Sequence, residues 1–344
     1  VFCRPGNSVT SAIDREGNIK MKFVKSIAVA TMLLCGTAMA HAQDYPNRPI
    51  TLIVPFAAAG PGDIIARLVA DAMRRSLGQE IVVVNVGGAG GTIGTARVAQ
   101  AKPDGYTILL GHVGQSTMTS LYKSLPYDPV ESFEAIGLIT DVPMTIVGKS
   151  GLAPKDLKDL VAYARERPDQ INYAHSGLGS VAHLCGLMFM SATKTKMTVI
   201  PYKGGGEVMK DLLAGTIDVY CEPATGTTAN IQAGKIKPYA VTTRRRVSTL
   251  PDVPTTAEAG FPEIGITTWY GLYAPKGTPA AAIDKLSSAL QAALKDGNVV
   301  TRFATLSMEP VPQDQATPAG LSAKLRAEVT YWSALLKEAG VQPE

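Results

Sequence analysis

Beyond its first 42 residues this chain has almost no excess charge of either sign. With Arg4, Arg15, Lys20, Lys22, Lys25, Asp14 and Glu16 set aside, 28 basic side chains face 27 acidic ones, although the whole chain carries a formal +4. At 18% charged residues, no surface is built to track phosphates, and nucleic acid is not an expected partner. Motifs for chemistry are missing too. There is no G-x-x-x-x-G-K-[ST] loop, no G-x-S-x-G elbow and no C-x-x-C pair. Histidine is scarce, at four residues. His112, His175 and His183 stand in no triad context, and the step from His175 to His183 is no metal-ligand spacing. We therefore expect no metal, no cofactor and no enzyme activity.

What is present is an ordinary globular composition, 46% hydrophobic, long enough for two domains. From Met21 the chain reads as an export signal: Lys22 and Lys25, an apolar stretch over 27–39, then Ala40-His41-Ala42 as an A-x-A cleavage site. That stretch is shorter than the roughly 20 residues of a membrane span, and no later run is as long. Leu34 is too large for lipoprotein processing at Cys35. Residues 1–20 are then an upstream extension, the mature chain starts near Gln43, and the expected compartment is the periplasm. There Cys185 and Cys221 are a candidate disulfide; otherwise each is a small buried hydrophobe.

The mature chain alternates strands and helices. Strands are expected at 50–55, 81–86 and 107–110, with helices at 63–77 and from Thr92, a doubly wound parallel start. A second cycle has a helix at 156–167, a strand at 171–174, a helix from Ser180, a strand at 198–201, a helix at 207–214 and a short strand near Val219 and Tyr220. A strand at 268–274 then precedes long helices at 279–295 and 317–339. The last part is read as returning to the first domain, with linkers near 139–147 and 264–270. Domain 1 is therefore 43–142 with 268–344, and domain 2 is 143–267.

The turns point to anion binding. In Gly87-Gly88-Ala89-Gly90-Gly91-Thr92-Ile93-Gly94 no start position satisfies G-x-G-x-x-G, which leaves a tight strand-to-helix turn rather than a dinucleotide site. Pro55–Asp63 joins the first strand to the first helix through small residues, and Ser176-Gly177-Leu178-Gly179-Ser180 repeats the arrangement in the second domain. Two helix N-termini facing one cleft suit the two ends of a diacid. The plainer alternative is a pair of ordinary turns capped by Asp63 and Ser180.

Seven segments in order carry a family resemblance. They are Tyr45-Pro46-Asn47-Arg48-Pro49-Ile50, the Pro55–Asp63 turn, Pro103-Asp104-Gly105-Tyr106-Thr107 and Leu125-Pro126-Tyr127-Asp128. Pro201-Tyr202-Lys203-Gly204, Leu250-Pro251-Asp252-Val253-Pro254-Thr255 and Ala274-Pro275-Lys276-Gly277-Thr278-Pro279 complete the set. From about Tyr45 to Gly340 the chain resembles the Bug family, the periplasmic solute-binding receptors of tripartite tricarboxylate transporters. The resemblance implies an α/β, type II periplasmic-binding-protein fold, with two doubly wound α/β domains joined by two hinge strands. It also implies a carboxylate ligand, delivery to membrane transporter subunits, and action as a monomer.

By position, the resemblance assigns ligand binding to Phe56, Ala57, Ala58, Gly60 and Asp63 in the first turn, and to Gln115 and Ser116 in the loop from Gly114 to Thr117. From the other domain it assigns Ser176, Gly179, Ser180 and His183, with Tyr202 and Lys203 nearby. Ala59 stands where the family often has glycine, which questions the shape of that turn. Glu222 and Thr225 lie on the stretch expected to select the ligand. Glu222 either hydrogen-bonds a hydroxyl or protonated acid, receives an ammonium, repels a second carboxylate or caps a helix. Trp269 and Tyr270 either stack on a ring or pack the hinge, so aliphatic and aromatic diacids both stay open. A small dicarboxylate receptor is the leading reading; a ligand sensor docking on a signalling partner and an exported enzyme on the same scaffold are the alternatives.

Overall fold

A computed structural model describes residues 1–2, 45–338 and 341–343. The expected signal peptide, its cleavage site and Cys35 lie outside the described residues. Residues 1–47 and 48–344 are separate units, and the fold below is that of the second.

Three parallel strands begin it: β1 (Ile50–Val54), β2 (Ile81–Asn85) and β3 (Thr107–His112), in the order β2-β1-β3. Helix α1 (Pro61–Leu77) follows β1. Pro61 at its first position fixes φ where no N–H is needed, and Gly78, at φ 67°, ends it in the left-handed region with its N–H on Arg74 O at 2.9 Å. Helix α2 (Thr92–Ala99) and the short α3 (Met118–Leu121) complete this part.

The chain then crosses on one long strand, β4 (Phe133–Lys149). The second half repeats the first: α4 (Leu157–Glu166), β5 (Asn172–His175), α5 (Val181–Thr193), β6 (Thr198–Pro201), α6 (Gly205–Leu213) and β7 (Val219–Pro223). Its parallel strands run β6-β5-β7. Helix α7 (Ala224–Gln232) and strand β8 (Ile236–Val241) follow, and β9 (Thr267–Pro275) carries the chain back to α8 (Ala280–Lys295), α9 (Gly297–Thr305) and α10 (Pro318–Glu338).

The crossing strands hold each other. β9 pairs antiparallel with β3 and also with β4, from Phe133↔Pro275 to Pro143↔Thr267. From Met144 onward β4 pairs instead with β7 and β8. Each half is thus three parallel strands closed by an antiparallel crossing strand, a path β2-β1-β3-β9-β4-β7-β5-β6 with β8 branching from β4, wrapped by helices. This is the type II α/β fold, with its two domains joined by two hinge strands.

Helix α3, strands β4 and β8, and helices α7 and α9 escaped the sequence reading. β8 contains Pro238, which argues against an interior strand, yet it pairs with β4 through a register shift beside Val147. Helix α7 carries three threonines and Gly226 in nine residues, and α9 is rich in β-branched residues, all weak helix formers. Asp296 stabilises the start of α9 by accepting the Asn298 and Val299 N–H groups at 3.0 and 3.2 Å.

Candidate functional site

A cavity enclosing at most about 440 Å3 lies at the carboxyl ends of the parallel strands, where open α/β sheets place their ligands. Its walls are Phe56, Ala57, Gly60, Pro61, Gly62 and His112 from the first half, and Ser176, Ser180, Val181, Gly205, Glu222 and Pro223 from the second. Thr268 and Tyr270 of the returning hinge strand close it. Among the described residues, no lysine or arginine lines it.

Four helix N-termini meet these walls: α1 at Gly60–Gly62, α5 at Ser180–Val181, α6 at Gly205 and α7 at Pro223. Each concentrates about half a positive charge on free N–H groups. A negative guest therefore meets roughly two positive charges spread over fixed dipoles, with no flexible cation. Ser180 caps α5, its hydroxyl accepting from His183 N–H at 3.2 Å.

His112 presents a defined donor. Its Nδ1 accepts the Gly114 N–H at 3.0 Å, so in the neutral ring the proton sits on Nε2, which is buried without a partner. Burial lowers its pKa to about 4, keeping the ring neutral. His175 and His183 repeat the pattern, their Nδ1 atoms accepting Gly177 and Gly179 N–H at 3.1 and 3.2 Å. Burial lowers both pKa values, that of His183 to about 4 with His175 adding to the effect. The Thr268 hydroxyl lies near that of Tyr270 yet makes no hydrogen bond of normal geometry, a second buried donor open to a ligand.

Glu222 is 4% exposed and lies at the end of β7. Burial pushes its carboxyl up to about 8, against the opposing effect of the Tyr220 hydroxyl, which donates to Oε2. The next residue back, Cys221, is bridged to Cys185 of α5, which ties the start of α7 to the helix carrying Ser180.

Of the residues singled out in the sequence, Phe56, Ala57, Gly60, Ser176, Ser180 and Glu222 meet at this cavity. The others are placed differently. Asp63 accepts the Ala59 N–H at 3.0 Å and pairs with Arg67 at 3.0 Å. Burial raises its pKa, but these partners outweigh burial and hold it below the usual range. That bond also holds Ala59 at φ 64°, so alanine keeps the left-handed turn where the family often has glycine. Ala58 is exposed. Gln115 donates to Pro129 O at 2.7 Å, and Ser116 donates to Val113 O, so both brace their own loop. Gly179 and His183 support the Ser180 turn from behind. Tyr202 and Lys203 line a neighbouring open cleft with Ser176, and the Tyr202 hydroxyl donates to Asp211 at 2.7 Å. Thr225 is buried in the first turn of α7, and its hydroxyl has no partner. Trp269 is buried on the side of β9 away from the cavity, which removes the hint of a stacked aromatic ligand.

His112, Thr268 and Gly205 were not anticipated, and Tyr270 was weighed only beside Trp269, as a residue that stacks on a ring or packs the hinge. Strand parity places Thr268 and Tyr270 at the cavity once Trp269 is on the opposite side of β9, since side chains alternate. His112 ends β3 at the same edge as the two predicted turns, and its partner across the ladder is Tyr270.

The two domains touch beside the cavity. The Tyr122 hydroxyl lies 2.8 Å from Ala89 O and 3.1 Å from Leu178 O, one donor between carbonyls of opposite domains. Gly90 packs so closely on that loop that a Cβ there would sit 1.7 Å from Leu178 O. A Cβ on Gly177 would sit 2.8 Å from Gly90 N.

Such a fold, two domains meeting over a small cavity, is that of a solute-binding protein. The tripartite tricarboxylate transporter family receptor model matches residues 65–341, and the chain belongs to that family. It is 48% identical over 327 residues to the UPF0065 protein in the TAR-I ttuE-ttuC' intergenic region of Agrobacterium vitis, covering 95% of this chain and 94% of that one. The solved periplasmic binding protein BugD is 47% identical, with a TM-score of 0.85, covering 87% of this chain and all of that one. MatC from Rhodopseudomonas palustris, solved with bound malate, is 35% identical with a TM-score of 0.83, over 85% of this chain and all of that one. A second R. palustris protein, solved with adipate, is 32% identical with a TM-score of 0.83, over 88% of this chain and all of that one.

Proposed function

We propose that this protein is a periplasmic receptor that captures a small organic dicarboxylate and hands it, as a monomer, to the membrane subunits of a tripartite transporter. One observation carries the reading: four helix N-termini converge on a cavity without a lysine or arginine. Roughly two units of diffuse positive charge match a dianion. The unpartnered donors of His112 and Thr268 fit carboxylate oxygens, and filling them relieves about 1–3 kcal/mol each of unmet hydrogen bonding. Malate and adipate, found in two neighbours, are both dicarboxylates.

Capture on this reading is closure of two domains, residues 43–142 with 268–344 and residues 143–267, about β4 and β9. The exchange of β4's pairing partner between Pro143 and Met144 supports that boundary. The test is a thermal-shift screen of protein beginning at Gln43, freed of carried-over ligand, against mono-, di- and tricarboxylates and amino acids. A ligand at 100 times its Kd adds about 2.7 kcal/mol of stability, several degrees in Tm. A shift confined to diacids is the expected result. No shift with any carboxylate would overturn the reading.

A further inference from the structure

We propose that Glu222 enters the closed complex as a carboxylic acid and gives its O–H to a ligand carboxylate, so that each dicarboxylate is captured together with one proton. The inference rests on the dicarboxylate reading above and narrows it to ligands whose two carboxylates are not offset by an ammonium.

The geometry supports it from every side. Tyr220 donates to Oε2 of Glu222, which leaves Oε1 for the cavity. A Cβ on Gly205 would lie 2.6 Å from Oε1, and one on Gly226 3.2 Å from it, so glycine at both positions keeps that oxygen uncovered. The groups around the carboxyl are neutral. Tyr220 on its own strand, Tyr173 on β5 and Tyr270 on β9 are phenols whose pKa values burial raises. Thr145, opposite Glu222 on β4, donates its neutral hydroxyl to the Glu222 backbone carbonyl at 3.1 Å, and His112 across the cavity is a neutral imidazole. Helices α6 and α7 bring backbone alone at Gly205 and Gly226. Among the described residues no cationic side chain lines the cavity, so an ionised Glu222 would be a third negative charge beside a dianion.

With the domains apart and the cavity open to water, Glu222 is an ordinary ionised carboxylate at neutral pH. On closure it takes a proton from the medium onto Oε1, and that O–H donates to a ligand oxygen. Burial alone already favours the acid form, in line with the raised pKa of about 8. The sign follows: from the ordinary carboxylate range up to about 8 bound protein holds more protons than free protein, so affinity falls as pH rises through that interval.

The test is isothermal titration of the mature protein with malate and with adipate at pH 7, in phosphate, HEPES and Tris, whose ionisation enthalpies differ. Wild type should take up about one proton per ligand bound. Between pH 6 and 9, where both probes are dianions, its affinity should fall by up to about tenfold per unit. Glu222→Gln, with an amide donor in place of the acid, should take up none and show a flat profile, so that at pH 9 it binds about tenfold or more tightly than wild type. Absence of uptake by wild type overturns the proposal, and needs no variant. So does selective binding of aspartate or glutamate that Glu222→Gln abolishes, because an ionised Glu222 would then be receiving the ammonium. Failure of every carboxylate to bind would instead sink the dicarboxylate reading, and the inference with it.

Discussion

Gly90→Ala should separate closure from folding. Gly90 sits at φ 63° in the turn before α2, facing Leu178 of the other domain. An added methyl carbon would lie 1.7 Å from Leu178 O, against about 3.3 Å for the nearest comfortable C···O approach. The loops must draw apart by roughly 1.6 Å, which breaks the bond between Tyr122 and Leu178 O. That bond is worth about 1 kcal/mol net, and lost packing of Gly177 against Gly90 raises the cost of closing to about 2 kcal/mol or more. Ligand affinity should fall at least about thirtyfold.

Alanine in a left-handed position also costs about 1 kcal/mol or more wherever it occurs, and a control must carry the same strain. Gly78→Ala supplies it: φ is 67° and no atom lies within 4 Å of the added carbon. Both variants should lose a few degrees of Tm without ligand, and only Gly90→Ala should lose affinity for a diacid selected by the thermal screen. Titration calorimetry reads the difference. Equal affinities in Gly90→Ala and Gly78→Ala would refute the argument, since the ligand-bound form would then not use this contact.

Two further perturbations follow from the same atoms. His112, His175 and His183 are held neutral by burial, with folded pKa values below the ordinary value, about 4 for His112 and His183. Unfolded protein therefore binds more protons as pH falls from about 6.5 toward 4. This contribution is complete above 6.5 and is lost on acidification, on the order of 3 kcal/mol for His112. Urea melts between pH 7 and 4.5 should show the slope, and His112→Gln should flatten it; an unchanged slope would mean that His112 is not buried neutral. Joint replacement of Cys185 and Cys221 by alanine opens a loop of 36 residues and should cost about 3–4 kcal/mol. Equal melting of the variant and the oxidised protein would show that the bridge does not constrain the chain.

The fold was legible because its signals are local. The alternation of strands and helices, Gly78 after α1, and the small-residue turns ahead of α1 and α5 each lie within a few residues of the element they define. The hinge strands show where that legibility stops. β4 carries Gly137, Asp141 and Pro143, so within its own 17 residues nothing separates a linker from a strand. It is a strand because β9 pairs along it, a partner more than a hundred residues away.

The site divides by the same rule. Phe56, Gly60, Ser176 and Ser180 are at the cavity because each belongs to a turn that begins a helix, a feature readable in the sequence. Thr268 and Tyr270 are there because β9 turns those two side chains inward, and with strict alternation that choice places Trp269 outside. The parity is set by pairing with β3, where His112 faces Tyr270, and by β4 on the opposite edge. A residue chosen for its aromatic character at a hinge was therefore one position from those at the cavity. The same strand that closes the cavity also joins the domains, so on the proposed closure a movement of β9 about Thr267 would shift Thr268 and Tyr270 together with the domain angle. Ligand contacts made by these two residues would then exist fully only in the closed form, and on the proposed function that difference would couple binding to closure.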